Sequence, residues 1–135
     1  MADGGKYDFD FSKKVVLVVE DNQISFKLIH AVLKQVKANV VHAANGKKAI
    51  EACRTDAHFD LVLMDMQMPE VDGLEATRRI KEIRPALPVV ATTANTYDEN
   101  VVACREAGCD GFLTKPLQFR KMFELMQSFF DQQEQ

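Results

Sequence analysis

Five side chains in this chain of 135 residues follow or end short apolar runs, and together they can do phosphoryl chemistry: Glu20, Asp21, Asp65, Thr93 and Lys115. Grouped carboxylates repel, raising one another's pKa unless a cation intervenes. An oxygen-rich set of this kind suits Mg²⁺, which takes carboxylates, waters and phosphate oxygens, with Mn²⁺ as an alternative ion. A lysine beside such a cation can hold a phosphoryl oxygen as a point charge, and a threonine hydroxyl can donate to another. Asp65 is the residue that could carry the phosphoryl group covalently. As a carboxylate it is already deprotonated at neutral pH and needs no separate base.

The elements that must position these residues are legible as a pattern. Strand-length apolar runs occur at VVLVV (15–19), NVVHA (39–43), DLVLM (60–64), PVVAT (88–92) and DGFLT (110–114). Between them lie helix-length segments with apolar residues three and four apart: Ile24, Leu28, Val32 and Val36; Ala49, Ile50 and Cys53; Leu74, Ile80 and Ile83; Val101, Cys104 and Ala107. A last stripe of Phe119, Met122, Phe123, Met126 and Phe129 reads as core. Strict alternation implies right-handed crossovers and a parallel sheet covered on both faces, an α/β doubly wound fold. Unbroken apolarity in VVLVV and LVLM agrees, since such strands are buried on both sides. Asp21 or Asn22 is positioned to cap the first helix and Asp72 the third, while Pro85 and Pro88 bar the third from continuing. Ligands of open α/β sheets bind beyond the carboxyl ends of the strands, where the five chemical residues lie.

Composition narrows the function class. Net charge is −3, with no Lys/Arg block, so neither a nucleic-acid footprint nor a polybasic membrane patch is expected. Cys53, Cys104 and Cys109 are odd in number without a CxxC, the usage of reduced thiols in a cytosolic protein. No apolar stretch approaches the ~18 residues of a membrane span, and the start lacks a signal-like apolar region. His30, His42 and His58 are scattered, which offers neither a metal cluster nor a phosphodonor site. Residues 1–14 read as a leader or linker whose Tyr7, Phe9 and Phe11 could lie against the body, residues 15–131 as one domain, and 132–135 as a polar tail.

Four stretches, VVEDN, LVLMDMQMPEVDG, PVVATTAN and DGFLTKP, resemble in order and spacing the motifs of two-component response-regulator receiver domains, from Val15 to Phe130. The resemblance implies a flavodoxin-like five-stranded sheet of order 2-1-3-4-5. It implies that Asp65 accepts a phosphoryl group from a histidine of a partner histidine kinase or phosphotransfer protein. Asp21 and Asp65 would ligate Mg²⁺ directly, Glu20 through a water, and Gln67 by its backbone carbonyl. Thr93, taken rather than Thr92, and Lys115 would hold phosphoryl oxygens. Phe112 would be an aromatic switch, with the fourth helix, fifth strand and fifth helix as the readout surface for a downstream partner. Gln67 and Asn95 would tune the phosphoryl lifetime, and Pro116 would follow a cis bond. The wording further resembles receivers of hybrid histidine kinases; a stand-alone regulator, monomeric or weakly dimeric, is the alternative. A dehalogenase-like phosphatase would want a second aspartate where Gln67 stands, and a purely docking receiver would not need the full set of five.

Overall fold

The computed structural model describes residues 7–67, 73–94 and 99–133. Strands and helices alternate: β1 (Val15–Val19), α1 (Gln23–Gln35), β2 (Asn39–Ala43), α2 (Gly46–Arg54), β3 (Leu61–Asp65), α3 (Gly73–Ile83), β4 (Val89–Thr93), α4 (Glu99–Ala107), β5 (Gly111–Thr114) and α5 (Phe119–Gln133). All pairings are parallel, in the order β2-β1-β3-β4-β5. The expected doubly wound sheet is therefore present. The third and fourth strands run one residue further than their sequence patterns suggested, so that Asp65 and Thr93 end strands rather than follow them. Ladder bonding is the reason: Met66 N–H still donates to the Thr92 carbonyl at 3.0 Å, and Lys115 N–H to that of Thr93 at 2.7 Å.

Continuous apolar strands are needed because each sends alternate side chains into different cores. Val16, Val18, Leu61, Leu63 and Val90 join α1 and α5 on one face. Leu17, Val19, Val62, Met64 and Val89 join α2 and α3 on the other. Asn22 caps α1, its side chain accepting the Ser25 N–H at 2.9 Å, and Asn45 caps α2 by the same means. Asp72 lies outside the described residues. The α1 stripe is corrected by the structure: Val32 and Val36 are core with Ile29 and Leu33, whereas Ile24 is 81% exposed and Leu28 55%. Ile24 and Leu28 lie off the core-facing side of α1, whereas Phe26 of the first turn packs partly buried against the core.

The segment before β1 contributes to the core. Phe11 is 1% exposed, its N–H donates to the Val36 carbonyl at 2.7 Å, and its ring meets Phe130 edge-on at 4.9 Å. Tyr7 and Phe9 pack on Phe123 at 4.9 and 5.5 Å between ring centres. Phe11 thus seals the α1–α5 core at the edge opposite the strands' carboxyl ends. Phe11→Ala is expected to lower the free energy of unfolding by about 3–5 kcal/mol, as for other buried aromatic truncations; urea titration checks this, and a loss below about 1 kcal/mol would mean that the segment is only laid on the surface.

Candidate functional site

The register of the central strands brings four chain segments to one rim. Asp65 is the Cα neighbour of Thr92, and Thr93 that of Thr114, the residue before Lys115. On the other side β1 pairs with β3, so Glu20 and Asp21 leave the sheet next to Asp65. Glu20 is 3% exposed and Asp65 3%, while Asp21 is exposed. One carboxylate oxygen from each of Glu20, Asp21 and Asp65 lies within 4.8 Å of the others. That is a cluster of hard oxygen donors.

Cationic and hydrogen-bonding groups surround Asp65. Its Oδ1 accepts from Lys115 Nζ at 3.0 Å and from the Gln67 N–H at 2.9 Å. Lys115 is still part-exposed, so one end of the ion pair faces the cleft mouth. The Lys115–Pro116 bond is cis. Thr93, 4% exposed, lines a cavity of about 230 Å³ with Met66, Gln67, Leu74 and Cys104. Phe112 is half-buried in mid-β5, with the Arg105 guanidinium carbon 5.5 Å from its ring centre. Asn95 and Pro69 lie outside the described residues. The rim thus unites Glu20, Asp21, Asp65, Gln67, Thr93 and Lys115, while Phe112 stands one strand step back from it.

Electrostatically the cluster is under tension. Burial, then the repulsion and shared hydrogen bond of Asp65, push the Glu20 carboxyl up to about 7; the Asn22 N–H and Lys115 pull it partly back. A carboxyl held to its proton this way beside a second buried acid fits a divalent cation, which would replace the proton as the neutralising charge. The donor set is all oxygen, as Mg²⁺ requires.

Two residues beside the site carry more than their sequence signals implied. Gly73, legible only as part of an Asp-Gly turn, starts α3 so close to the acceptor that a Cβ there would lie 2.6 Å from the Asp65 carbonyl oxygen and 2.6 Å from Met66 Sδ. His42, one of three histidines scattered along the sequence, places Nε2 2.8 Å from the Glu20 carbonyl oxygen. No local spacing announces either contact, since both cross between chain segments.

Comparison with known proteins agrees with this geometry. Residues 16–127 match the family profile described as the response regulator receiver domain. The chain is 34% identical over 119 residues to the polar-differentiation response regulator DivK of Brucella ovis, a match covering 86% of this chain and 95% of that protein. It is 32% identical over 138 residues to probable histidine kinase 4 of Oryza sativa subsp. japonica, covering 86% of this chain and 14% of the kinase. The chain therefore spans a small part of the length of its kinase relatives. Among solved structures, the receiver domain of sensor histidine kinase PA1611 from Pseudomonas aeruginosa matches with a TM-score of 0.80 at 30% identity, over 86% of this chain and 96% of that one; that domain has a magnesium ion coordinated in its active-site cleft. A CheY-like receiver domain protein from Methanospirillum hungatei matches with a TM-score of 0.83 at 26% identity, over 90% and 96% of the two chains.

The Glu20 shift sets a pH dependence. Its pKa in the folded chain, about 7, lies above the ordinary 4.5, so the unfolded chain releases this proton first and the metal-free fold loses stability as pH rises from about 4.5 through 7. Glu20→Gln removes the titrating group and keeps an acceptor for the Asn22 N–H. In chelator, the variant should match wild type near pH 5 and melt several degrees higher at pH 8. Parallel melting curves for the two proteins across that range would refute the assignment.

Proposed function

The chain belongs to the receiver-domain family of response regulators, and on that premise we propose that Asp65 accepts a phosphoryl group from a phosphohistidine of a partner histidine kinase or phosphotransfer protein. The observation that carries the proposal is the Lys115–Asp65 contact at 3.0 Å beside the three-carboxylate cluster. Asp21 and Asp65 would hold Mg²⁺ directly, Glu20 through a water and Gln67 by its carbonyl, with Mn²⁺ able to substitute. When bound, the ion supplies positive charge against the incoming phosphoryl oxygens. A carboxylate oxygen of Asp65 attacks phosphorus, an O–P bond forms, the histidine N–P bond breaks, and the imidazole nitrogen keeps the electron pair. Lys115 Nζ and the Thr93 hydroxyl hold phosphoryl oxygens, so the transfer relies on positioning and charge.

The donor approaches over the first turn of α1. A groove of about 310 Å³, lined by Glu20, Leu28, Lys115, Pro116 and Phe119, opens beside the acids, and Ile24 and Leu28 are exposed on α1. The occupant we assign is an amphipathic helix of the partner bearing the phosphohistidine, because the groove shares Glu20 and Lys115 with the site. Phosphorylation adds roughly −1.5 to −2 charge at the rim. Drawing Thr93 toward it would bias the position of Phe112 and the surface of α4, β5 and α5, where a downstream partner reads the state. Slow loss of the phosphoryl group would be tuned at Gln67 and Asn95. Receiver domains are generally not turnover enzymes, and a phosphatase acting on free esters is not the reading supported here.

Kinase relatives favour a receiver that works within a hybrid histidine kinase, and a cytoplasmic place of action is proposed with it. The 95% coverage of DivK favours a second reading, a stand-alone regulator. Both use the same chemistry at Asp65.

Incubation with Mg²⁺ and a small acyl phosphate, read by intact mass, should add one phosphoryl group to wild type and none to Asp65→Asn. Lys115→Ala should slow the gain by about 100-fold, the scale of losing one donor to developing phosphoryl charge. Equal labelling of Asp65→Asn would overturn the acceptor assignment. Gly73→Ala, whose Cβ would collide with the Asp65 backbone, should also depress labelling and cost roughly 1–3 kcal/mol of stability; unchanged labelling would show that the loop absorbs the methyl without moving the acceptor.

A further inference from the structure

We propose that His42 is a positioning residue for the acidic loop, fixing Glu20 and Asp21 in the geometry that receives the cation. The inference rests on the reading of the rim as a Mg²⁺ site. His42 lies on β2, the edge strand, paired with Val18 and far in sequence from the acids. Its Nε2 stands 2.8 Å from the Glu20 carbonyl oxygen. A carbonyl can only accept, so Nε2 carries the hydrogen, whether the ring is neutral or protonated.

Glu20 is thereby held to β2 at both ends of its backbone. Its N–H donates to the carbonyl of Ala43 at 3.1 Å, and its C=O accepts from the neighbouring His42 ring. With N–H and C=O both fixed, the peptide plane leading into Asp21 has one orientation. The imidazole is fixed in turn: it stacks on Phe26 at 3.7 Å between ring centres with planes 10° apart. Phe26 belongs to the first turn of α1, where its N–H donates to the carbonyl of the cap residue Asn22 at 2.9 Å. One ring therefore spans the β1–α1 loop from Glu20 to the helix start, and the loop between those points carries both acids.

Such a brace has a task only where the loop is pushed. Glu20 and Asp65 repel across the cleft, and a loop free to swing would relax by moving its carboxylates apart. Keeping them together without a cation raises the free energy of the cation-free state and lowers the reorganisation needed on binding. Partners that orient ligands directly are typically worth 10–100-fold in metal affinity. His42 acts one peptide removed, through a single neutral hydrogen bond, and about 3–10-fold is expected.

Calorimetric titration of the full chain with Mg²⁺ tests this, using variants that separate donor from ring. His42→Phe keeps an aromatic face for Phe26 but cannot donate; His42→Leu is a second non-donor; His42→Gln carries an N–H at the position of Nε2. The expected result is Mg²⁺ affinity weakened about 3–10-fold in the Phe and Leu variants and restored to within about twofold by Gln. The rate of phosphoryl gain at saturating Mg²⁺ should be the same in all four proteins. Wild-type affinity in both non-donors, or Gln as weak as Phe, would overturn the inference. Failure of wild type to bind Mg²⁺ would instead overturn the reading on which it rests.

Discussion

Repulsion among buried carboxylates is the constraint around which this domain is organised. Glu20 and Asp65 are both nearly inaccessible, with Asp21 close by, and the groups cannot separate because each is rooted in a strand end of one parallel sheet. Those strands are locked by side chains in two cores at once, so a shift that eased the acids would disturb packing on both faces. Lys115 offsets part of the charge, and the raised affinity of Glu20 for its proton offsets more. The remainder makes the rim receptive to a cation, which explains why an otherwise locally consistent sequence places acids at the ends of its most apolar strands.

The surrounding backbone is arranged so that this tension is resolved by binding and not by motion. Lys115 is tied to β4 through its own N–H, which roots its side chain beside the acceptor strand, and its ammonium reaches Asp65 at 3.0 Å. Gln67 turns its N–H back onto the same carboxylate oxygen. Gly73 lets α3 begin in contact with the acceptor's carbonyl, so the helix acts as a stop behind it. Each device acts through main-chain atoms, which have few alternative positions to occupy. Preorganisation of this kind is what a transfer dependent on placement and charge requires.

Much of this was legible in the sequence because buried parallel strands and the acids that end them are local signals. VVLVV and LVLM give their strand state away by unbroken apolarity, and Asp65 stands out against it. The ends of β3 and β4 were misplaced by one residue because hydrogen bonding carried the ladder past the apolar run. The α1 stripe was ambiguous: Ile24–Leu28 and Ile29–Val32–Leu33–Val36 have comparable spacing, and only the position of the helix over the sheet decides which meets a core. Tyr7, Phe9 and Phe11 alternate with acids, which is legible as a segment laid against the body, but the full burial of Phe11 depends on a groove between α1 and α5 that no local pattern describes. The contacts of His42 and Gly73 depend on register between distant segments.

On the proposed reading, the same geometry would separate input from readout. From Asp65 the rim opens toward α1, where Lys115, Pro116 and Leu28 border one groove, and on the other side toward Thr93 and a cavity floored by Cys104 of α4. Exposed apolar residues occur on both sides: Ile24 and Leu28 on α1, and Val102, 54% exposed, on α4. A phosphodonor seated on α1 would leave Phe112, Arg105 and α4 uncovered, so a reader could engage that face without first displacing the donor. Thr93 borders the rim and the α4-side cavity alike, so on the proposed reading it is the residue through which a charge added at Asp65 would reach the second face. Were a partner to favour one position of Thr93, phosphorylation would change that partner's affinity by the same factor by which the partner shifts the phosphorylation equilibrium, since such coupling is reciprocal.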